Sequence, residues 1–183
     1  RESQRVAGVG SENAVLEMDD LSAAAKESKK SATRNQGSAD TEARLVNVRA
    51  IFTPEEADVV RDGQHIVIRL KDMKFAAGGS TLTSANFPLL AKVQKAVELC
   101  GKSPISVIGH TDSTGSPDIN AELSQQRANT VKEYLVANGT LPENKITAIG
   151  KGSEQPLGSN KTQAGRAANR RIDVIVSAAQ LSD

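Results

Sequence analysis

Two oppositely charged residues stand at a spacing that could build a small binding site. Asp112 follows a short apolar run, and Arg127 lies further along in a segment with helical periodicity. The loop H-T-D-S-T-G at 110–115 adds hydroxyls and backbone N–H groups beside a helix start, where anionic groups are favoured. A carboxylate and a guanidinium facing one pocket suit a ligand that carries both an ammonium and a carboxylate.

A strand, a loop and a helix must position these residues. The apolar run Ile105–Gly109 predicts a strand buried on both faces or nearly so. Ser116 can cap a helix with Pro117 at its first position, and this helix is predicted to reach about residue 138 and stop at Gly139.

One side of that helix changes from apolar to polar along its length. At 100° per residue, one stripe flanked by Leu123 and Tyr134 holds Asn120, Arg127, Val131 and Leu135. An arginine on a buried stripe needs a partner. The alternatives are a plain salt bridge to Asp112, a side chain that reaches solvent, or a ligand inserted between acid and guanidinium.

The remaining pattern predicts an α/β sandwich, in which helices cover one or both faces of a small mixed sheet. The order is strand–helix–strand–helix–strand–loop–strand, with a short helix around 163–168 in the loop. The other strands are predicted at 65–70, 145–150 and 171–176, and the first helix at 84–99.

The first third of the chain differs from the rest. Residues 1–42 are predicted to be a flexible or helical arm, with an amphipathic helix from Val15 to Ala25 and a polar, flexible tract after it. Residues 43–64 are predicted to be a connecting segment packed on the domain, with a strand or irregular apolar run at 45–52 and a turn with helix-start chemistry at 53–56. Residues 65–183 form the main domain.

Composition excludes several classes of function. The 23 basic and 22 acidic residues give a net charge of +1, which creates no general field for nucleic acid or an anionic membrane. There is no Trp, and one Tyr and three Phe are too few for base-stacking platforms. The single cysteine, Cys100, forms no intrachain disulfide and is predicted to be a small buried residue beside a helix end.

No run is apolar enough to span a bilayer. Residue 1 is Arg rather than Met, and no signal peptide is recognisable. We therefore expect a processed or trimmed piece, with any membrane anchor on the part that the sequence lacks.

Four motifs in order resemble a known family. They are G-H-T-D-S-T-G at 109–115, N-A-E-L-S-Q-Q-R-A at 120–128, G-x-G-x-x-x-P at 150–156 and N-K-T-Q-A-G-R-A-A-N-R-R at 160–171. Residues from about Phe75 to Val176 resemble the C-terminal peptidoglycan-binding domain of outer membrane protein A. The peptidoglycan-associated lipoprotein and the flagellar stator protein share this domain.

The resemblance implies non-covalent binding of the peptidoglycan stem peptide through meso-diaminopimelate, without a cofactor, in the periplasm and attached to the outer membrane of a Gram-negative envelope. It implies that Asp112 accepts from the ligand ammonium and that Arg127 pairs with the carboxylate. Further ligand contacts implied by the motifs come from Thr114, Asn120, Leu123, Arg170 and the backbone at and next to Gly78. One departure is Ala76, where family members often carry an Asp, so a side-chain contact there is lost.

Other functions find less support in the residues. A hydrolase would use His110 beside Asp112, but the chain has only two histidines and none of the usual zinc spacings. Gly150–Ser153 does not complete a phosphate loop and is expected to be a turn. A structural adaptor, in which residues 1–64 bind an envelope protein partner, is compatible with wall binding.

Overall fold

The computed structural model describes residues 13–71, 73–76 and 78–177. The chain divides into two compact units, one ending at Ala39 and the other beginning at Asp40. The predicted site and the predicted strands and helices of the main domain all lie in the second unit.

A long helix, α1, occupies Asn13–Arg49. The polar tract that we expected to be flexible is therefore helical, and the strand or irregular run predicted at 45–52 is wrong. Leu45, Val48 and Phe52 are spaced by three and four residues, and all three are buried. This is the period of a helix side, which a short apolar window does not distinguish from a strand. The predicted amphipathic side of residues 15–25 lies largely outside the described side chains.

Five strands form one mixed sheet in the order β1-β2-β5-β3-β4. β3 and β4 are parallel, and the other pairs are antiparallel. The strands are β1 Ala57–Asp62, β2 His65–Leu70, β3 Ile105–His110, β4 Ile146–Gly150 and β5 Arg171–Val176. The predicted α/β class and the four predicted strands are confirmed, and β1 is an addition.

Residues 53–56 contain the predicted turn, but the helix that their sequence favours does not follow. The Glu56 carboxylate accepts from the Thr53 N–H at 2.9 Å, as in a capped helix, but the chain then enters β1. In β1, Ala57 and Val59 are buried while Asp58 is exposed, and a turn with Gly63 at φ 60° leads into β2. The strand pattern of β1 is weak, because it is six residues long and its apolar residues alternate with charged ones. Sequence reasoning therefore favours the helix-start signal that precedes it.

Three more helices follow the first hairpin: α2 Phe87–Leu99, α3 Pro117–Ala137 and the short α4 Gln163–Asn169. The helix predicted from residue 84 begins with a 3₁₀ turn at Ser84–Asn86. Ser116 caps α3 as predicted, because its side chain accepts from the Ile119 N–H at 3.3 Å. Cys100 is buried at the end of α2, and burial raises the pKa of its thiol.

One face of the sheet joins α2 and α3 in the core. Alternate strand residues, such as Ile68, Val107 and Val174, are fully buried together with Val93 of α2 and Leu135 of α3. The intervening residues project from the other face. That second face carries charge, including Arg69, Arg171 and Asp173.

Two strand-end glycines let α3 approach the sheet closely. A Cβ on Gly109 would collide with the backbone carbonyl of Ser124, and a Cβ on Gly150 would collide with the backbone nitrogen of Gln125. The Gly150–Ser153 segment is the expected turn, and the Gly152 N–H donates to Ser124 Oγ at 2.8 Å. These contacts fix the end of β3, from which the predicted site loop leaves.

Candidate functional site

The loop that connects β3 to α3 is held from two sides. The Thr111 N–H donates to the Gly152 carbonyl at 2.8 Å, which ties the loop to the turn after β4. The buried Asn120 side chain, in the first turn of α3, donates to the Asp112 carbonyl at 3.3 Å. The close packing of α3 on the strand-end glycines therefore fixes the conformation of the loop backbone.

The Asp112 carboxylate is buried, with 8% of the residue exposed. One oxygen, Oδ1, accepts from the Thr114 N–H at 2.8 Å, and Oδ2 accepts from Arg170 Nη1 at 2.7 Å. Burial raises the pKa of Asp112, but the hydrogen bonds from Arg170 and Thr114 outweigh it and leave the pKa below its ordinary value. The side chain is therefore an anion at neutral pH.

Arg127 is half-buried and is held on one edge only. Its Nε donates to the Gly79 carbonyl at 3.0 Å, and its guanidinium carbon lies 4.8 Å from the centre of the Phe75 ring. In the part of the chain that the structure describes, no carboxylate comes within ion-pair distance of this guanidinium. Burial and the nearby charge of Arg170 lower the pKa of Arg127 from its high ordinary value, yet an arginine stays charged.

Of the three alternatives for Arg127, the plain salt bridge to Asp112 is not formed, because Arg170 occupies that place on the carboxylate. Arg127 also lies beside the buried line of α3 rather than on it. The buried residues of α3 are Asn120, Ser124, Ala128, Val131 and Leu135. The small Ser124 and Ala128 fill the central positions because the backbone is too close to the sheet there for a long side chain.

The structure places the other predicted residues around this pair. Thr114 contributes its backbone N–H, Asn120 fixes the loop, and Leu123 is half-buried in the second turn of α3. Gly78 is exposed with φ 64°, but the carbonyl that Arg127 contacts belongs to Gly79. Sequence reasoning expected main-chain contacts at and next to Gly78, but it missed that Arg127 contacts Gly79 and stacks on Phe75. The adjacent glycines after Phe75 were the available signal.

A cavity of about 550 Å³ opens next to the site. Arg127 and Arg170 line it together with Phe75 and Leu157. Asp112 is not a lining residue and lies behind Arg170, to which it is bonded. The arrangement offers the guanidinium groups of Arg127 and Arg170 next to the Asp112 carboxylate, and charge-assisted hydrogen bonds from such groups suit a small zwitterion.

The histidine beside the loop does not belong to this arrangement of charges. His110 is 3% exposed, and its Nε2 lies 3.1 Å from Asp173 Oδ2 without meeting hydrogen-bond geometry. Neither ring nitrogen therefore has a hydrogen-bond partner among the described residues. No group of three or more His, Cys, Asp or Glu residues in the described ranges could hold a metal ion.

Residues 74–170 match the OmpA family, which is more than half of the chain. The chain belongs to the OmpA family. This OmpA-family chain is 40% identical over 103 residues to peptidoglycan-binding protein ArfA of Mycobacterium tuberculosis, a match that covers 56% of the chain and 31% of ArfA. It is 36% identical over 120 residues to the probable lipoprotein YiaD of Escherichia coli, covering 65% of the chain and 54% of YiaD.

Among solved structures, the cell wall anchor of the type VI secretion system of Pseudomonas aeruginosa superposes with a TM-score of 0.65 at 28% identity. This match covers 73% of the chain and 96% of that structure. The OmpA-family chain spans less than two thirds of the length of the two curated relatives. Among the described residues, no helix has the length and apolar character of a membrane span.

Proposed function

We propose that the chain binds peptidoglycan without covalent chemistry, through the meso-diaminopimelate of the stem peptide. In this way it anchors the outer membrane or an envelope complex to the cell wall. Family membership, the peptidoglycan-binding name of the mycobacterial relative and the fold shared with a cell wall anchor support this proposal.

The observation that carries the proposal is the incomplete bonding of Arg127. Its only hydrogen bond to the described protein uses Nε, so the two terminal nitrogens are available to a ligand. A guanidinium binds a carboxylate best through two parallel N–H groups. The free end of diaminopimelate supplies such a carboxylate beside its ammonium.

The ammonium then binds to Asp112. The two carboxylate oxygens have four acceptor positions, and the structure uses them for the Thr114 N–H, the Thr114 side chain and Arg170, which leaves one. An ammonium can therefore add to the carboxylate without displacing Arg170. In this arrangement Asn120 holds the loop, Leu123 contacts the aliphatic part of the ligand, and the backbone at Gly78 and Gly79 borders the carboxylate.

A site of this kind binds each ligand weakly. A charge-assisted hydrogen bond contributes roughly 1.5–3 kcal/mol net. The loss of ligand freedom offsets several kcal/mol of that sum, so a single site should have an affinity of order micromolar to millimolar. The wall polymer repeats the ligand, and the high local concentration turns weak sites into firm attachment.

The role proposed is non-catalytic and is set in the periplasm at the outer membrane, the location suggested by the relatives. An envelope protein partner that binds residues 1–64 also remains a proposal. So does the division at 1–42, 43–64 and 65–183.

The direct test is co-sedimentation of the purified chain with isolated sacculi, in competition with free amino acids. Free meso-diaminopimelate should release the chain, whereas lysine should not, because lysine lacks the second carboxylate. Equal release by both, or no sedimentation with sacculi, would contradict the proposal.

A further inference from the structure

The cavity continues beyond Arg127 to the charged face of the sheet. Its far part is lined by Arg69 of β2, Arg171 of β5 and His110 of β3. These side chains share one face at one end of the sheet, where β2 and β3 end and β5 begins. The diaminopimelate contacts proposed above use none of them.

The polar groups there are incompletely bonded. Arg69 Nε and Arg171 Nη1 are both buried, and neither has a hydrogen-bond partner among the described residues. The other Arg171 nitrogens are bonded: Nε donates to the Asp173 carboxylate at 3.2 Å, and Nη2 donates to the Gln155 carbonyl at 3.1 Å. Arg69 has no carboxylate within ion-pair distance in the described chain, although Asp58 and Asp173 flank it in the register.

Like charges face each other across this part of the cavity. Burial lowers the pKa of the Arg171 guanidinium, and the charge of Arg69 lowers it further against the opposing effect of Asp173. Among the described residues, five Arg or Lys side chains and His110 line the cavity, whereas Asp58 is the one acidic lining residue and is paired with Lys71 at 2.8 Å. Buried donors without acceptors and excess positive charge together indicate a place for an anion.

The size of the cavity indicates where that anion comes from. About 550 Å³ is within the range of pockets that enclose whole small molecules, and it exceeds what one amino-acid end would fill. A peptide held at Arg127 by its diamino acid would extend along the same cavity toward Arg69. The stem peptide carries further carboxylates besides the one assigned to Arg127.

We propose that Arg69 and Arg171, next to His110, form a second anion subsite that binds another carboxylate of the same stem peptide. This rests on the proposed function and deepens it. The site then binds two carboxylates and one ammonium of the ligand. It therefore discriminates between stem peptides whose carboxylates are free and those whose carboxylates are amidated. When the second carboxylate is amidated, the peptide loses its electrostatic attraction to Arg69 and Arg171, and their buried N–H groups have no anionic partner.

The test compares binding of synthetic stem tripeptides to the full chain by isothermal titration calorimetry. One peptide keeps all its carboxylates, and a second is amidated at the glutamate α-carboxylate. A third is amidated at the diaminopimelate carboxylate that does not contact Arg127. Arg69→Gln should weaken the unmodified peptide about fivefold to tenfold. It should leave one of the amidated peptides unchanged, because the contact is already absent there.

Lys95→Gln is the matched control, since it removes the same charge from an exposed position on α2 outside the cavity. It should change no affinity beyond the small effect of net charge. The subsite is rejected if Arg69→Gln weakens all three peptides equally or none of them. Arg171→Gln is avoided because it would leave Asp173 buried without its partner.

Inorganic phosphate separates this proposal from the peptide-binding function. If the chain binds no stem peptide, the proposed function fails and so does the assignment of the subsite to peptide carboxylates. If phosphate then shifts the NMR signals of the Arg69 and Arg171 side chains, and Arg69→Gln abolishes these shifts, an anion subsite exists without the peptide assignment. The absence of such shifts would overturn it altogether.

Discussion

The carboxylate of Asp112 pairs with Arg170, which the chain supplies from the junction of α4 and β5, 2.7 Å away. This pairing holds the acid in its charged form, and the loop cannot drift from the last strand. It also leaves the guanidinium of Arg127 without an acid among the described residues. The charges of the proposed site are thus in place without a ligand, which lowers the ordering cost of binding.

Arg127→Ala should weaken sedimentation with sacculi about tenfold to a hundredfold, because it removes the bidentate partner of the ligand carboxylate. Stability should change little, since the side chain is half-buried and makes one hydrogen bond. Lys95→Ala is the control for charge. Unchanged sedimentation of Arg127→Ala, with a normal melting temperature, would remove Arg127 from the site.

Asp112→Asn should abolish binding of the ammonium and should also change the pH dependence of stability. The pKa of Asp112 is lowered from 3.8 in the folded state, so its ionised form stabilises the fold above about that pH. This contribution is lost as the pH falls through the lower folded-state pKa. The difference in unfolding free energy between the two chains should therefore be constant at neutral pH and shrink below pH 3.8. Urea titrations at several pH values measure it, and a constant difference down to strongly acidic pH would contradict the prediction.

Gly109→Ala should destabilise the protein by about 1–3 kcal/mol or more, since the new methyl group collides with the α3 backbone at Ser124. Loss of ligand binding should accompany it, because α3 positions both Asn120 and Arg127. Gly37→Ala is the matched control: it lies in α1 with open space around its Cα and should stabilise that helix by about 0.5–1 kcal/mol. Chemical denaturation separates the two outcomes.

Arg171→Leu should cost about 3–5 kcal/mol of unfolding free energy, because the buried carboxylate of Asp173 loses its partner. Replacing both residues by Leu should recover much of this loss, since no charge then remains buried and unpaired. A double-mutant cycle in urea gives the coupling. Additive effects of the two replacements would show that the pair contributes no coupling to the fold.

Deletion of residues 1–39 should leave sacculus binding within about twofold of the full chain, because every residue of the proposed site lies in the unit that begins at Asp40. The cut keeps Leu45 and Val48, which belong to the core. Any envelope partner that binds the arm should be lost. A truncated chain that folds, as judged by circular dichroism, yet fails to sediment would contradict the proposed site.

Much of the fold could be predicted because its strands and helices carry strong local signals. β2 and β5 were predicted with their observed bounds, and Ser116, Pro117 and Gly139 marked the ends of α3. The failures came where a local pattern has two solutions. Leu45 and Val48 fit either a strand edge or a helix side, and Glu56 forms its cap without a helix.

The positions of the candidate site residues were predictable, whereas their hydrogen bonds were not. The motifs placed Asp112, Asn120 and Arg127 on one loop and helix, and the structure brings the three near one another. Their role in ligand binding stays a prediction. The partner of Asp112 comes from 58 residues away, and no spacing rule predicts such a contact. Gly79 and Phe75 were missed as contacts of Arg127 because loop geometry decides them.

The central position of β5 between β2 and β3 has a consequence for biogenesis. β5 is the last strand among the described residues and joins the two halves of the sheet, so neither half can close until residues 171–176 are available. A chain emerging amino end first from a ribosome or a translocation channel would therefore remain incomplete until its final strand inserts. A nonsense codon upstream of Arg171 would expose two strand edges and yield an aggregating fragment instead of a weakened binder.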